Sequence, residues 1–98
     1  MKALKIGLAQ IYPLLGDLQA NLRKHLEVIE DAVARGAELI VFPELSLTGY
    51  VLQDLTYEVA IRPEPGHPIL QPLLEASRRA DLVVGFVELD ERGRYYTA

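Results

Sequence analysis

Apolar and polar positions change their period three times before Glu44, and each change marks an element. Leu4, Ile6 and Leu8 alternate with Lys5, Gly7 and Ala9, the period of two expected of a strand over about 3–11. Pro13 and Gly16 close that strand in a loop. Asp17 follows where an N-cap belongs, its carboxylate placed to accept from free amides of a first helical turn. Leu18, Leu22, Leu26, Ile29 and Val33 then recur at steps of three and four on one stripe, with Gln19, Arg23, Lys24, Glu27, Glu30 and Asp31 opposite. Gly36 ends the pattern. The spacing predicts a helix over 18–35, about 27 Å long, enough to cross a sheet and return the chain parallel. Leu39–Phe42 is an unbroken apolar run with β-branched members, as in a strand covered on both faces. Pro43 stops it, which leaves Glu44 just past its carboxyl end.

Beyond Tyr50 the pattern loosens. Asp54 can cap a short helix carrying Leu55, Val59 and Ile61, and the Pro- and Gly-rich run 62–68 predicts a loop. Leu70, Leu73, Leu74 and Ala76 give one face of a further helix, which begins either near Gln71 with Pro72 in its first turn or after an irregular Ile69–Leu70 lead-in. Residues 82–87 read as a third buried strand. Asp90–Gly93 reads as a polar turn, and 94–98 as a strand returning antiparallel. The expected fold is α/β, built from βαβ units with a mixed sheet. Strands apolar on both faces need cover on both, more than these helices supply, so either a partner or a longer native chain is expected to provide the rest.

Composition narrows the chemistry. Ninety-eight residues suffice for one small domain and not for two. A formal charge of −4, from 10 basic and 14 acidic residues without a basic cluster, points away from nucleic acid. There is no cysteine, which excludes disulfides, thiolate metal sites and a cysteine nucleophile among these residues. No apolar run has the length of a signal peptide or a membrane span, so a cytoplasmic location is expected, with no membrane partner.

Glu44 is the leading chemical candidate, because ligands of open α/β sheets bind at the carboxyl ends of the strands. Its neighbours Phe42, Pro43 and Leu45 would desolvate the carboxylate and tune it toward general-base work. Read from the residues alone, a capping or ion-paired surface role stays open. Tyr50 lies a few residues on and is a candidate for lining the same cleft. Ser46 is outside any nucleophile-elbow pattern and reads as an ordinary hydroxyl. His25, beside the apolar stripe, and His67, in the Pro-rich loop, have no metal-ligand spacing. The glycines form no phosphate-binding pattern. Neither a metal nor a cofactor is expected.

In order and spacing, Gly16-Asp17-x-x-x-Asn21, the run Gly36 to Glu44, Leu47-Thr48-Gly49-Tyr50 and Val84-Gly85-Phe86 resemble the amino-terminal third of the nitrilase superfamily of carbon–nitrogen hydrolases. The resemblance implies that 1–98 are the amino-terminal part of a single hydrolase domain, an α-β-β-α sandwich. It implies a Glu-Lys-Cys catalytic set in which Glu44 matches the glutamate. The cysteine attacks an amide or nitrile carbon, the glutamate takes the thiol proton and later activates water, and the lysine helps hold the oxyanion. The lysine and cysteine of the pattern belong further along a family chain, so these residues alone are expected to be inactive. The same resemblance implies a small-molecule amide or nitrile substrate and a homo-oligomeric full-length protein.

Leu47–Tyr50 followed by Asp54-Leu55 is also similar to the glutaminase domain of glutamine-dependent NAD synthetases, although Val51-Leu52-Gln53 replaces the Pro-Pro-Glu usual there. A stand-alone amidase-type hydrolase is therefore the first reading and the glutaminase domain the alternative. A reading of another class is a non-catalytic βαβ module that binds through its uncovered sheet face.

Overall fold

The computed structural model describes residues 4–11, 13–14, 17–48, 60–64, 66–92 and 94–98, with the backbone alone for 95 and 96. Strand β1 (Ile6–Leu8), helix α1 (Leu18–Ala34) and strand β2 (Leu39–Val41) form the anticipated βαβ unit. Helix α2 (Leu70–Ala76) leads to strand β3 (Asp81–Val83), and strands β4 (Val87–Leu89) and β5 (Tyr95–Thr97) follow. The sheet runs β1-β2-β3 and is parallel throughout, with Gly7 opposite Ile40 and Ile40 opposite Leu82. β4 and β5 pair antiparallel as a separate ribbon, so the described strands divide into two sheets.

Helix α1 is closed at both ends by its own sequence. The Asp17 carboxylate accepts from the Ala20 amide at 2.9 Å. At the other end Gly36 sits at φ +89°, its amide donating to the Val33 carbonyl while that of Ala37 donates to Ala32. These are the paired bonds of a Schellman motif, for which glycine has the required left-handed backbone. Lys5, just before β1, adds a third device by donating its Nζ to the Arg35 carbonyl. The buried face of α1 is Ala20, Asn21, Leu22, His25 and Ile29. Leu18, Leu26 and Val33 of the predicted stripe pack against the core at its flank. The face is therefore rotated toward Asn21 and His25 relative to the stripe of leucines.

Ile29, Ile40, Leu47 and Ile61 are wholly buried and join helix, sheet and loops in one core, each contributing about 1.5–3 kcal/mol of burial. Ile61 is held on both sides by the ribbon, donating to Val87 and accepting from Leu89. The opposite sheet face is open, with Ile6 50%, Leu8 78% and Val83 51% exposed. In α2 the lead-in is Ile69, in helical conformation, and Pro72 falls in the first turn, where its missing amide proton interrupts no helical bond.

The predicted strand over 82–87 is divided. β3 ends at Val83 and β4 starts at Val87, with an irregular 84–86 between them. Within that segment Gly85 packs where no side chain fits: a β-carbon there would lie 2.4 Å from the Leu45 amide nitrogen. Gly7, by contrast, faces Ala37 and Ala32 at 3.6 and 3.8 Å, ordinary packing distances that do not demand glycine. The short helix expected after Asp54 falls on residues outside the described ones as far as Val59, while Ile61, which the spacing placed on it, instead pairs with Glu88 in a parallel β-bridge.

Candidate active site

β2 is the central strand, and its carboxyl end delivers Glu44 into a tight turn over 44–48. The ladder extends one residue past the strand, Phe42 donating to the Val83 carbonyl at 2.9 Å. Pro43 ends it, as its lack of an amide proton requires. The Ser46 amide then donates to the Pro43 carbonyl and that of Thr48 to Leu45, both at 3.2 Å. Leu45 takes φ +52°, the one non-glycine residue in the left-handed region among the described residues. Such a backbone costs about 1–2 kcal/mol and is retained only where the surroundings over-determine it. Here it reverses the chain immediately after Glu44, and Leu45 packs beside Val87.

Glu44 is exposed while Phe42 is buried, so the desolvation expected from its apolar neighbours is not provided by the described residues. What they provide is position. The Leu47 amide donates to the Gly85 carbonyl at 3.0 Å, and the Glu44–Leu45 peptide lies directly on Gly85.

Helix α1 supplies the other anchors. Asn21, wholly buried, donates Nδ2 to the Leu47 carbonyl at 2.8 Å and to the Leu14 carbonyl at 2.7 Å, and accepts from the Leu14 amide at 2.6 Å. Both donors and the oxygen of one amide group thus tie two loops to one helix. One turn later His25, also wholly buried, stacks on Phe42 with ring centroids 4.3 Å apart. Its Nδ1 is 2.6 Å from the Asn21 carbonyl oxygen and its Nε2 2.8 Å from Ser46 Oγ. A carbonyl only accepts, which assigns the proton to Nδ1 and makes Nε2 the acceptor of the Ser46 hydroxyl. Burial pushes the imidazole below its ordinary value, against the opposing effect of the bond to Asn21.

The sequence-based reading of Ser46 as an ordinary hydroxyl and of His25 as a stripe neighbour missed this network. One signal was available: 21, 25 and 29 follow at steps of four, which puts Asn21 and His25 on the same helical arc as Ile29. Tyr50 lies outside the described residues. His67 is a turn residue, its Nδ1 accepting from the Ile69 amide at 3.1 Å. Among the described residues, no three His, Asp or Glu side chains gather as metal ligands, and no helix is long and apolar enough to cross a membrane.

An exposed carboxylate beyond the carboxyl end of the central strand of a parallel sheet is the setting of a ligand site in an α/β protein. The family follows from comparison: the carbon-nitrogen hydrolase profile matches residues 5–98, and the chain belongs to that family. It is 40% identical over 93 residues to the glutamine-dependent NAD(+) synthetase of Thermotoga maritima, an alignment covering 93% of this chain and 16% of that protein. To the (R)-stereoselective amidase of a Pseudomonas species it is 39% identical over 98 residues, covering 97% of this chain and 34% of that one. The structure of Nit3 from Saccharomyces cerevisiae, a member of branch 10 of the nitrilase superfamily, matches with a TM-score of 0.79 at 24% identity. That match covers 96% of this chain and 37% of the other, and it shows the shared fold. The chain thus spans between 16% and 37% of the length of these three proteins.

Proposed function

We propose that Glu44 is the general base of a cysteine-dependent hydrolase that cleaves non-peptide carbon–nitrogen bonds. The 98 residues form the amino-terminal part of its single catalytic domain. The observation that carries this reading is the placement of Glu44 itself, exposed just past the carboxyl end of β2 in a turn whose Leu47 is bonded to Gly85 and to Asn21. In the proposed reaction a cysteine from a later part of the chain attacks the carbon of a small amide or nitrile, and its thiol proton passes to Glu44. With an amide, Glu44 returns that proton to the departing nitrogen as the carbon–nitrogen bond breaks, so that ammonia leaves, a thioester remains and Glu44 is again ionised. Water, deprotonated by Glu44, hydrolyses that thioester to the acid. A lysine, also from a later part of the chain, stabilises the oxyanion. Tyr50 is proposed to line the same cleft, and the full-length protein to be a cytoplasmic homo-oligomer that needs no cofactor.

The test is Glu44→Gln in the full-length protein, assayed for ammonia release from a panel of small amides. Turnover should fall by about 10²- to 10⁴-fold with the circular dichroism spectrum unchanged. Undiminished turnover would overturn the role.

A narrower reading has its own support in the 40% identity to the Thermotoga maritima synthetase. In that reading the amide is that of glutamine, and the ammonia passes to a second catalytic unit of the same protein. Comparing glutamine with simple aliphatic amides as substrates separates the two readings: strong preference for glutamine selects the second, and indifference to it selects the first.

A further inference from the structure

We propose that Asn21, His25 and Ser46 form a positioning unit that fixes the Glu44 turn for catalysis, an inference that rests on Glu44 being the general base. All three side chains are wholly buried, in a core whose other fully buried large members are Ile29, Ile40, Leu47, Ile61 and Thr48. Polar groups at such depth cost free energy that apolar residues of similar size would not, unless each is satisfied. Here each is: among the described residues no buried side-chain nitrogen or oxygen lacks a partner.

The bonds converge on one place. His25 holds Ser46, two residues beyond Glu44, through Nε2. Asn21 holds Leu47, three residues beyond, through Nδ2. His25 in turn donates Nδ1–H to the Asn21 carbonyl, so the two anchors share one turn of α1. From the opposite side Gly85 receives the Leu47 amide and supports the Glu44–Leu45 peptide. The turn is thus held both by helix α1 and by the irregular segment 84–86, and Glu44 is exposed within it. A fully satisfied buried network removes conformational freedom from the groups it joins. A general base gains from this directly, because a displacement of about 1 Å at the reacting groups costs on the order of 10²-fold in rate. His25 and Ser46 act through Glu44 and need not touch substrate.

A double-mutant cycle in the full-length protein tests the proposal, using Ser46→Ala, Glu44→Gln and the double variant, with kcat and KM measured well below the unfolding midpoint of each. Ser46→Ala should lower kcat by about 10- to 100-fold with KM within about twofold. In the Glu44→Gln background it should have no further effect on kcat, because the group being positioned has lost its function. An unchanged kcat in Ser46→Ala, or an equal loss in both backgrounds, would overturn the positioning role and leave the reading of Glu44 standing. Full turnover in Glu44→Gln alone would instead overturn the reading of Glu44, and the positioning role with it. Where Ser46→Ala does not fold, His25→Phe carries the same cycle with the same expectations, since it keeps a ring against Phe42 and removes both hydrogen bonds.

Discussion

Gly85 lies directly beneath the Glu44–Leu45 peptide. A β-carbon at position 85 would stand 2.4 Å from the Leu45 nitrogen and 3.1 and 3.2 Å from the Glu44 carbonyl carbon and Cα. These are backbone atoms in a turn already fixed by other bonds, so they cannot yield as the end of a side chain would. Gly85→Ala should therefore destabilise the fold by about 1–3 kcal/mol, the range for overpacking, as read from denaturant unfolding. It should also reduce turnover, because the atoms it displaces are those that carry the Glu44 side chain.

His25 makes stability depend on pH in a definite direction. Burial lowers its pKa in the folded state, so the unfolded chain, with a pKa of about 6.5, binds the proton more readily. Stability should rise with pH from the lowered folded value up to about 6.5 and gain nothing further from this group above it. Within that window the slope from one histidine is at most about 1.4 kcal/mol per pH unit. His25→Phe should abolish this component, which urea midpoints measured between pH 5 and 8 would reveal.

Asn21→Asp keeps the shape and removes both donors. The Leu14 and Leu47 carbonyls lose their bonds, and a carboxylate is set against two carbonyl oxygens. The buried bond to Leu47 costs about 1–3 kcal/mol when lost and the part-buried bond to Leu14 less, so a total of about 2–4 kcal/mol is expected at neutral pH. Mild acid should restore part of it, because protonation returns one donor. Thermal unfolding at pH 7 and pH 5 checks both statements.

Asp17→Ala removes the cap of α1 while leaving its core contacts in place. A loss of about 0.5–2 kcal/mol is expected, with Asp17→Asn close to the parent. Comparing the midpoints of both variants with the parent would separate the capping bond from the carboxylate charge.

Helix α1, strand β2 and the stop at Pro43 were legible because each rests on local chemistry: a 3.6-residue period, a cap, a glycine terminator and a missing amide. The position of Glu44 followed from these alone. The division at 84–86 was not legible, since an apolar run with one glycine reads as a single strand, and the packing of Gly85 on the Glu44–Leu45 peptide joins residues 40 positions apart. The Asn21–His25–Ser46 network was hidden for a related reason. The steps of four from Asn21 to Ile29 mark the buried arc, but a histidine on it does not declare a partner 21 positions away. Exposure of Glu44 likewise depends on which way the chain turns at Leu45, and the positive φ there is a tertiary outcome.

The turn that carries Glu44 has a consequence for folding. Its anchors lie in α1, before it in sequence, and at Gly85, well after it, and the bond from Asn21 to Leu47 alone spans 26 positions. Contacts of such separation form only after the intervening loops have closed, which makes them late events in parallel α/β chains. A partly folded chain with α1 and β2 paired but Gly85 undocked would hold Glu44 by one side only. The Glu44 turn therefore gains all its anchors only when three distant segments have met, and a nascent chain cannot complete it before Gly85 has been synthesised and has docked.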